Sequence, residues 1–480
     1  MLEVFVVDKN LVLLNLLQEL GWSQSRLARR LNEALGAGYV SRSTVAEWVN
    51  QERVPRDPVP TVVAHVLSEE LERTVTLDEL WKGRAKRSQL WLSAFDGMAG
   101  PWCHSGTVRA LECWHEHGEA VLDFNHRTFF PVWGDALVGP ALSYLEHSVT
   151  PLQLVQSRNW ARDGRIITAS MTNIASVVVE RMRRLDDAEG GSLENLRFVH
   201  QYFLSIGQQM RSGDAANGAV LRELFRLWMS LCQIAGWMAY DAEEHGLAQR
   251  YYYSGLRAAH SIGDRSYGAY LLAALTHQAI YRRKAREARA LVDVTVRAAK
   301  DGPLALRSLV SGLVAHTEAL EGNAYGFETN MATAQDLMEQ PDALENRPVW
   351  LYWFGPVQSR VHRGHGLLTL VRATQAPQHR LVEAARLLAP NCAVDDAHFP
   401  REALYNRVWL ARSHIWRGDI DTALHTALPT LAPSAVRSPR SVAQLRILDT
   451  ELAAHPAARS TSQLHGFHHQ LQNLLRAPGN

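Results

Sequence analysis

The sequence predicts an all-α protein, in which a small N-terminal helical domain precedes a helical adaptor region and a long α-solenoid of paired helices. Two patterns support this prediction. Between residues 11 and 80, apolar residues recur at helical spacing and capping residues stand at the segment ends. From about Leu231 the chain becomes rich in alanine, leucine and aromatic residues, and a weak self-similarity recurs roughly every 38 to 40 residues.

Length and composition indicate more than one domain. At 480 residues and 46% hydrophobic, the chain is too long for a single ordinary core and apolar enough to fold throughout. We therefore expect an N-terminal domain over residues 1–88, an adaptor over 89–225 and the repeats over 226–480.

Charge and cysteine content exclude several classes of protein. The net charge of +1 excludes a chain whose whole surface attracts nucleic acid, so any such charge must be local. The four cysteines are too scattered for a disulfide framework. No apolar run is long enough to cross a bilayer, and Asp8 and Lys9 interrupt the apolar N-terminal segment. We expect a soluble, cytoplasmic protein without membrane contact.

The N-terminal segment predicts a series of short helices. A first helix ends at Gly21, and Ser23 then caps a second, in which Leu27 and Leu31 share one face. Ser41 caps a third helix, whose buried face is formed by the three apolar residues at i, i+3 and i+4, Val45, Trp48 and Val49.

Three segments of this domain resemble the phage-repressor type of helix-turn-helix. They read SQSRLARRL (23–31), VSRSTVAEWVN (40–50) and RVPR (53–56), and the resemblance covers roughly residues 10 to 80. It departs from that family in its longer loop between the paired helices and in Gln51, where the family usually has glycine. The resemblance implies that the second helix of the pair enters the major groove of DNA.

The side chains that face away from the predicted core suit that role. Arg42 fits guanine O6 and N7, and Glu47 can accept from cytosine N4 or orient Arg42. Neutral amides and the following arginines suit phosphates. The predicted DNA-binding residues are Gln24, Ser25, Ser41, Arg42, Ser43, Thr44, Glu47, Asn50, Arg53 and Arg56. The alternative is that these are three small helices with solvated arginines.

The second half of the chain repeats a helix pair. Residues 235–259 form one pair that we expect to break at Gly246, residues 278–299 repeat it without the glycine, and further copies surround Gly322 and Gly418. These units resemble tetratricopeptide repeats over roughly residues 225 to 475. The resemblance implies hairpins that stack into a superhelix with a concave binding surface.

Aromatic residues in this region are candidates for ligand or partner contacts. They are Trp237, Tyr240, Tyr252, Trp350, Tyr352 and Trp353. The alternative for each is a place in the core, because aromatic residues at helical spacing usually pack there. The segments QIAGWMAYD (233–241) and HGLAQRY (245–251) also resemble a group of actinobacterial regulators that join a helix-turn-helix to such repeats.

Neither a metal centre nor a catalytic set is predicted. Soft and borderline ligands group at Cys103, His104, Cys113, His115 and His117, but without the paired spacing of a zinc module, and 21 histidines make a local group expected by chance. Phosphate-binding loops, metalloprotease motifs and serine elbows are missing from the sequence. We expect no cofactor and no enzyme activity.

Two hypotheses follow from these patterns. The leading one is a dimeric or higher oligomeric transcription regulator that reads double-stranded DNA, and whose repeats bind a peptide, a small molecule or a protein. It resembles the peptide-sensing regulators of Gram-positive bacteria in architecture. The rival is a helical-repeat interaction scaffold that does not bind DNA.

Overall fold

A computed structural model of the chain confirms the all-α fold, with an N-terminal helical domain and a solenoid-like body. It describes residues 9–35, 39–51, 53–56, 59–71, 73, 75–82, 84, 100–121, 131–147, 166–212, 214–374, 378–392, 400–431, 438–456 and 462–476. Within these residues the only sheet is a parallel pair of two-residue strands, β1 (Ile166–Ile167) and β2 (Asp214–Ala215).

Within the described residues, the N-terminal domain has five helices around its own apolar core. They are α1 (Leu11–Glu19), α2 (Gln24–Leu35), α3 (Arg42–Asn50), α4 (Val59–Leu71) and α5 (Leu77–Trp81). The predicted ends are confirmed. Gly21 takes a left-handed φ of 62° after α1, and the Ser23 and Ser41 hydroxyls accept hydrogen bonds from the first turns of α2 and α3.

The middle region is helical as well, and it packs on the first repeat. Its helices are α6 (His104–Val121), α7 (Asp135–Glu146), α8 (Ala169–Glu189) and α9 (Leu193–Ser212). Trp114 of α6 donates to the Ser254 hydroxyl at 2.7 Å, and Gln249 bonds both backbone groups of Val132. One apolar core runs from Trp102 through the first repeats, so adaptor and repeats share a folded unit.

Six helix pairs follow within the described residues. They are α10 (Gly218–Asp241) with α11 (His245–Ile262), α12 (Arg265–Tyr281) with α13 (Ala285–Ala299), α14 (Leu304–Leu320) with α15 (Ala324–Glu339), α17 (Pro356–Thr374) with α18 (Gln378–Leu388), α19 (Pro400–Trp416) with α20 (Ile420–Ala427), and α21 (Pro439–Ala454) with α22 (Ser462–Arg476). A short helix, α16 (Asp342–Glu345), precedes α17, and the boundary predicted at residue 226 falls inside α10.

Four of these pairs turn in the same way. The left-handed residues of their turns are Glu243, Arg283, Gly322 and Gly418. In each turn the next backbone N–H donates to a carbonyl five residues back, at 2.8 to 3.0 Å, which closes the end of the first helix. The positions 243, 283 and 322 lie 40 and 39 residues apart, as the sequence periodicity predicts. The break expected at Gly246 is wrong, because the turn lies at Glu243 and Gly246 is already helical.

The first pair packs closely because Gly236 has no side chain. A Cβ at this position would lie 2.5 Å from the Tyr252 ring of α11. Helix α11, which also contacts the middle region through Gln249 and Ser254, is buried along nearly its whole length. Among the helices of the described ranges, none combines the length and apolar content needed to cross a bilayer.

Candidate functional site

Helix α3 presents a polar face because its apolar residues are fixed in the core. Val45, Trp48 and Val49 are at most 3% exposed, as the periodicity predicts. Trp48 also meets the ring of Trp81 edge to face, with ring centroids 6.5 Å apart. The opposite face of α3 therefore points to solvent.

Side-chain hydrogen bonds brace the connection between α2 and α3. The Asn32 amide donates to the Val40 carbonyl at 2.8 Å and accepts from the Val40 N–H at 2.7 Å. The Asn10 N–H donates to the carbonyl of Val49 at 2.8 Å. Both ends of α3 are thus tied to the domain, which fixes its orientation although the preceding loop is long.

The predicted DNA-binding residues all lie on accessible positions of this domain. Ser25, Ser41, Arg42, Ser43, Asn50, Arg53 and Arg56 are exposed, and Gln24, Thr44 and Glu47 are half-buried. Glu47 pairs with Arg53 at 2.6 Å, which leaves Arg42 without an ion pair to any residue that the structure describes.

A cavity of about 590 Å³ forms on the inner side of the repeats. The first helix of each pair contributes to it, namely α10, α12, α14, α17, α19 and α21, together with α8. Residues spaced three or four apart point inward, as Tyr270, Ala273, His277 and Tyr281 do on α12. Stacking of the pairs therefore brings side chains from distant parts of the sequence into one site.

Four of the six predicted contact aromatics line this cavity. They are Trp237, Trp350, Tyr352 and Trp353. Trp350 stacks on Tyr270 with ring centroids 4.9 Å apart, and Trp353 donates to the Tyr270 hydroxyl at 3.0 Å. The aromatic segment before α17 is thus part of the cavity wall.

The other two predicted aromatics lie in the core. Tyr240 and Tyr252 are each 1% exposed and are not among the lining residues. Tyr252 is held against Gly236, and Tyr240 lies between Trp237 and Tyr281. Each therefore supports the cavity wall from behind.

Sequence reasoning missed several lining residues, above all those of α19 and a group of histidines. Tyr405 and Trp409 face the cavity one turn apart. The histidines are His277, His316, His362 and His365. The available signal was the i, i+3 spacing of His362 and His365 on α17, but such a spacing identifies lining residues only once the inner face of each pair is known.

The cavity histidines are held neutral. Burial lowers the pKa of His277 to about 3, and the charge of Arg440 acts in the same direction. Burial lowers the pKa of His365 to about 4, although its hydrogen bond to Asn406 opposes the decrease. His365 Nε2 lies 2.7 Å from the Asn406 amide oxygen, and His316 Nε2 lies 2.8 Å from the His362 carbonyl. At neutral pH these rings offer hydrogen bonds and no charge.

The described part of the chain contains no cluster of side chains that suits a metal ion. No three His, Cys, Asp or Glu side chains there could hold a metal ion. Of the cysteine and histidine group in the adaptor, Cys103 and Cys113 are half-buried and His115 is exposed. The side chains of His104 and His117 lie outside the described residues.

Buried ion pairs close the cavity on one side. Asp241, at the end of α10, pairs with Arg401 of α19 and with Arg440 of α21, the latter at 2.7 Å. Arg401 also lies 3.2 Å from Asp186 of α8. Burial raises the pKa of Asp186 to about 6, although the charge of Arg401 opposes the rise. The last pairs thus contact the beginning of the body.

Comparison with known proteins gives one match. A family model described as the SP15 N-terminal domain matches residues 13–80, a range that lies within the five-helix N-terminal domain. No curated protein and no solved structure matches the chain.

Proposed function

We propose that this protein is a sequence-specific DNA-binding transcription regulator whose tetratricopeptide-like repeats bind a regulatory ligand. The observation that carries the proposal is the polar face of α3. Its first turn offers Arg42 and Ser43 to solvent, and its apolar face and both ends are fixed in the domain. A helix fixed in this way, with an arginine in its first turn that makes no ion pair with a described residue, suits base recognition in the major groove.

The surrounding charges support the same reading. Arg26 and Arg29 are exposed on α2, and Arg53 and Arg56 are exposed after α3. Because the whole chain carries a net charge of only +1, the arginines around these two helices are a local concentration. Such a patch would contact phosphates while α3 reads bases.

The cavity supports the regulatory half of the proposal. It has the volume typical of small-ligand sites, roughly 300 to 1,000 Å³, and side chains from all six helix pairs line it. A ligand that binds one arrangement of the pairs better than another would shift the body between them. In an oligomer, such a shift would change the spacing of the DNA-reading helices.

DNA selection with the full chain tests the proposal. We expect random double-stranded DNA to yield one enriched motif. In anisotropy titrations, Arg42→Gln should weaken binding to that motif by about 1 to 3 kcal/mol and relax the preference at one base pair. The matched control is Arg417→Gln, an exposed arginine in the repeats, which should bind as the wild type does.

Two results would overturn the proposal. One is the absence of any enriched motif from the full chain. The other is a motif whose affinity is the same for Arg42→Gln and the wild type across a salt series, since the contacts would then lie elsewhere. The first result would favour an interaction scaffold.

A further inference from the structure

Positive charge is in excess at one end of the repeat cavity. Arg283, in the turn after α12, and Arg372, near the end of α17, both line it. Neither makes an ion pair with any residue in the ranges that the structure describes. Burial lowers the pKa of Arg283, and the nearby charges of Arg372 and Arg412 lower it as well.

The described carboxylates of the lining do not pair with these two arginines. Asp186 is held by Arg401, Asp187 accepts from the Tyr352 hydroxyl, and Glu243 accepts from the Tyr281 hydroxyl at 2.8 Å. The fourth, Glu402, has its pKa raised by burial. Among the residues that the structure describes, no carboxylate of the lining therefore pairs with Arg283 or Arg372.

The conformation of Arg283 adds a second, independent observation. Its φ is 56°, in the left-handed region, where two of the three equivalent turns have glycine, Gly322 and Gly418, and the third has Glu243. A side chain in this conformation costs roughly 1 to 2 kcal/mol. Glycine would avoid that strain, so the arginine side chain is held at the cavity mouth against a local backbone penalty.

The charged end adjoins the aromatic wall. The guanidinium of Arg412 lies 4.3 Å from the ring centroid of Trp409 and is itself paired with Glu451. Beyond Trp409 the wall continues through Tyr405 toward Trp237 and Trp353. One molecule of cavity size can thus meet the arginines at one end and aromatic rings along its length.

We propose that the repeat cavity binds a small anionic aromatic molecule, with its carboxylate, phosphate or sulfonate beside Arg283 and Arg372 and its flat apolar body against the tryptophans and tyrosines. This rests on the proposed function in that the repeats hold the regulatory ligand. The charge supplies orientation, and the rings supply most of the buried area.

A pair of fluorescent probes tests the proposal on the full chain. The anionic probe is 8-anilinonaphthalene-1-sulfonate, and the neutral probe is N-phenyl-1-naphthylamine, which has the same rings without the sulfonate. We expect the anionic probe to bind one site per chain, more tightly than the neutral probe. Arg283→Gly and Arg372→Gln should each weaken the anionic probe roughly 5- to 10-fold, because a charge-assisted contact is lost, and leave the neutral probe unchanged.

The variants include their own controls. Arg283→Gly removes backbone strain, so it should melt at or above the wild-type temperature, and a loss of binding cannot be ascribed to unfolding. Arg307→Gln changes an exposed arginine at the start of α14 outside the lining and should bind both probes normally.

Three results would overturn the inference. They are equal affinity of the two probes, unchanged binding of the anionic probe by both variants, and an equal loss of both probes. The DNA selection described above is a separate measurement on a separate domain. An enriched DNA motif together with any of these three results would leave the proposed regulator standing and remove only the assigned ligand class.

Discussion

Asp241 lies 2.7 Å from Arg440, an ion pair that joins the first repeat helix to the first helix of the last pair. The Asp241 side chain is completely buried and Arg440 nearly so. Arg440 also lies over the ring of Tyr240, 4.7 Å from its centroid. The first and last helix pairs are therefore joined by charged and aromatic side chains that are far apart in the sequence.

Replacing Asp241 tests this closure. Asp241→Asn removes the charge that compensates Arg401 and Arg440, and breaking such a buried pair costs about 3 to 5 kcal/mol. We expect a large drop in the melting temperature of the full chain. Asp301→Asn, the same change at an exposed site, is the control and should melt with the wild type. A melting temperature unchanged by Asp241→Asn would mean that the closure does not stabilise the body.

The sequence predicts local features well because their causes are local. The caps at Ser23 and Ser41 follow from hydroxyl groups beside apolar periodicity, and the repeat spacing follows from the recurrence of turns. The predicted break at Gly246 was wrong for a local reason too. Glu243 and Arg283 adopt a left-handed φ although they are not glycine, so glycine does not mark every turn.

The site depends instead on contacts between distant segments. No pattern places Arg401 beside Asp241, and His277, His316 and His365 meet only because three pairs stack. Tyr252 illustrates the same limit, because its burial depends on Gly236 in the neighbouring helix. Aromatic composition identifies a binding surface in outline, and packing decides which rings face it.

The cavity histidines predict destabilisation by mild acid. Their folded pKa values, about 4 for His365 and about 3 for His277, lie below the usual 6.5, so the unfolded chain binds more protons below that value. Above pH 6.5 these histidines therefore leave the free energy of unfolding unchanged, and below that pH they lower it progressively. At pH 5 each of the two histidines should lower the free energy of unfolding by about 2 kcal/mol, because one pKa unit corresponds to 1.36 kcal/mol.

A matched pair of variants assigns this acid sensitivity. His365→Gln can still donate to Asn406 but cannot titrate, so its free energy of unfolding should fall less than that of the wild type between pH 7.5 and 5. His425→Gln changes an exposed histidine and should follow the wild type. Urea titrations followed by tryptophan fluorescence give the comparison. Parallel pH profiles for wild type and His365→Gln would exclude His365 as the cause.

Two glycines in the last pairs separate backbone strain from packing. A Cβ at Gly418 or at Gly466 would meet nothing within 4 Å, but Gly418 has a φ of 78° and Gly466 is helical. Gly418→Ala should therefore destabilise the body by roughly 1 to 2 kcal/mol. Gly466→Ala should stabilise it by roughly 0.5 to 1 kcal/mol, because alanine favours the helix. Urea unfolding measures both, and shifts of the same sign would contradict the assigned turn.

The brace between α2 and α3 can be tested through Asn32. Asn32→Ala removes both hydrogen bonds to Val40 and leaves that backbone pair without its side-chain partner. We expect a loss of about 1 to 3 kcal/mol in the stability of the N-terminal domain, and weaker binding to any selected DNA, because α3 loses its fixed start. Asn32→Asp keeps an acceptor for the Val40 N–H but sets an oxygen against the Val40 carbonyl, so it should also lower the domain's stability and its DNA affinity.

Ser25→Ala, an exposed change on α2, is the control: it keeps the hydrogen bonds between Asn32 and Val40 and should leave the stability unchanged. Full stability and full DNA affinity in Asn32→Ala would show that the core alone orients α3.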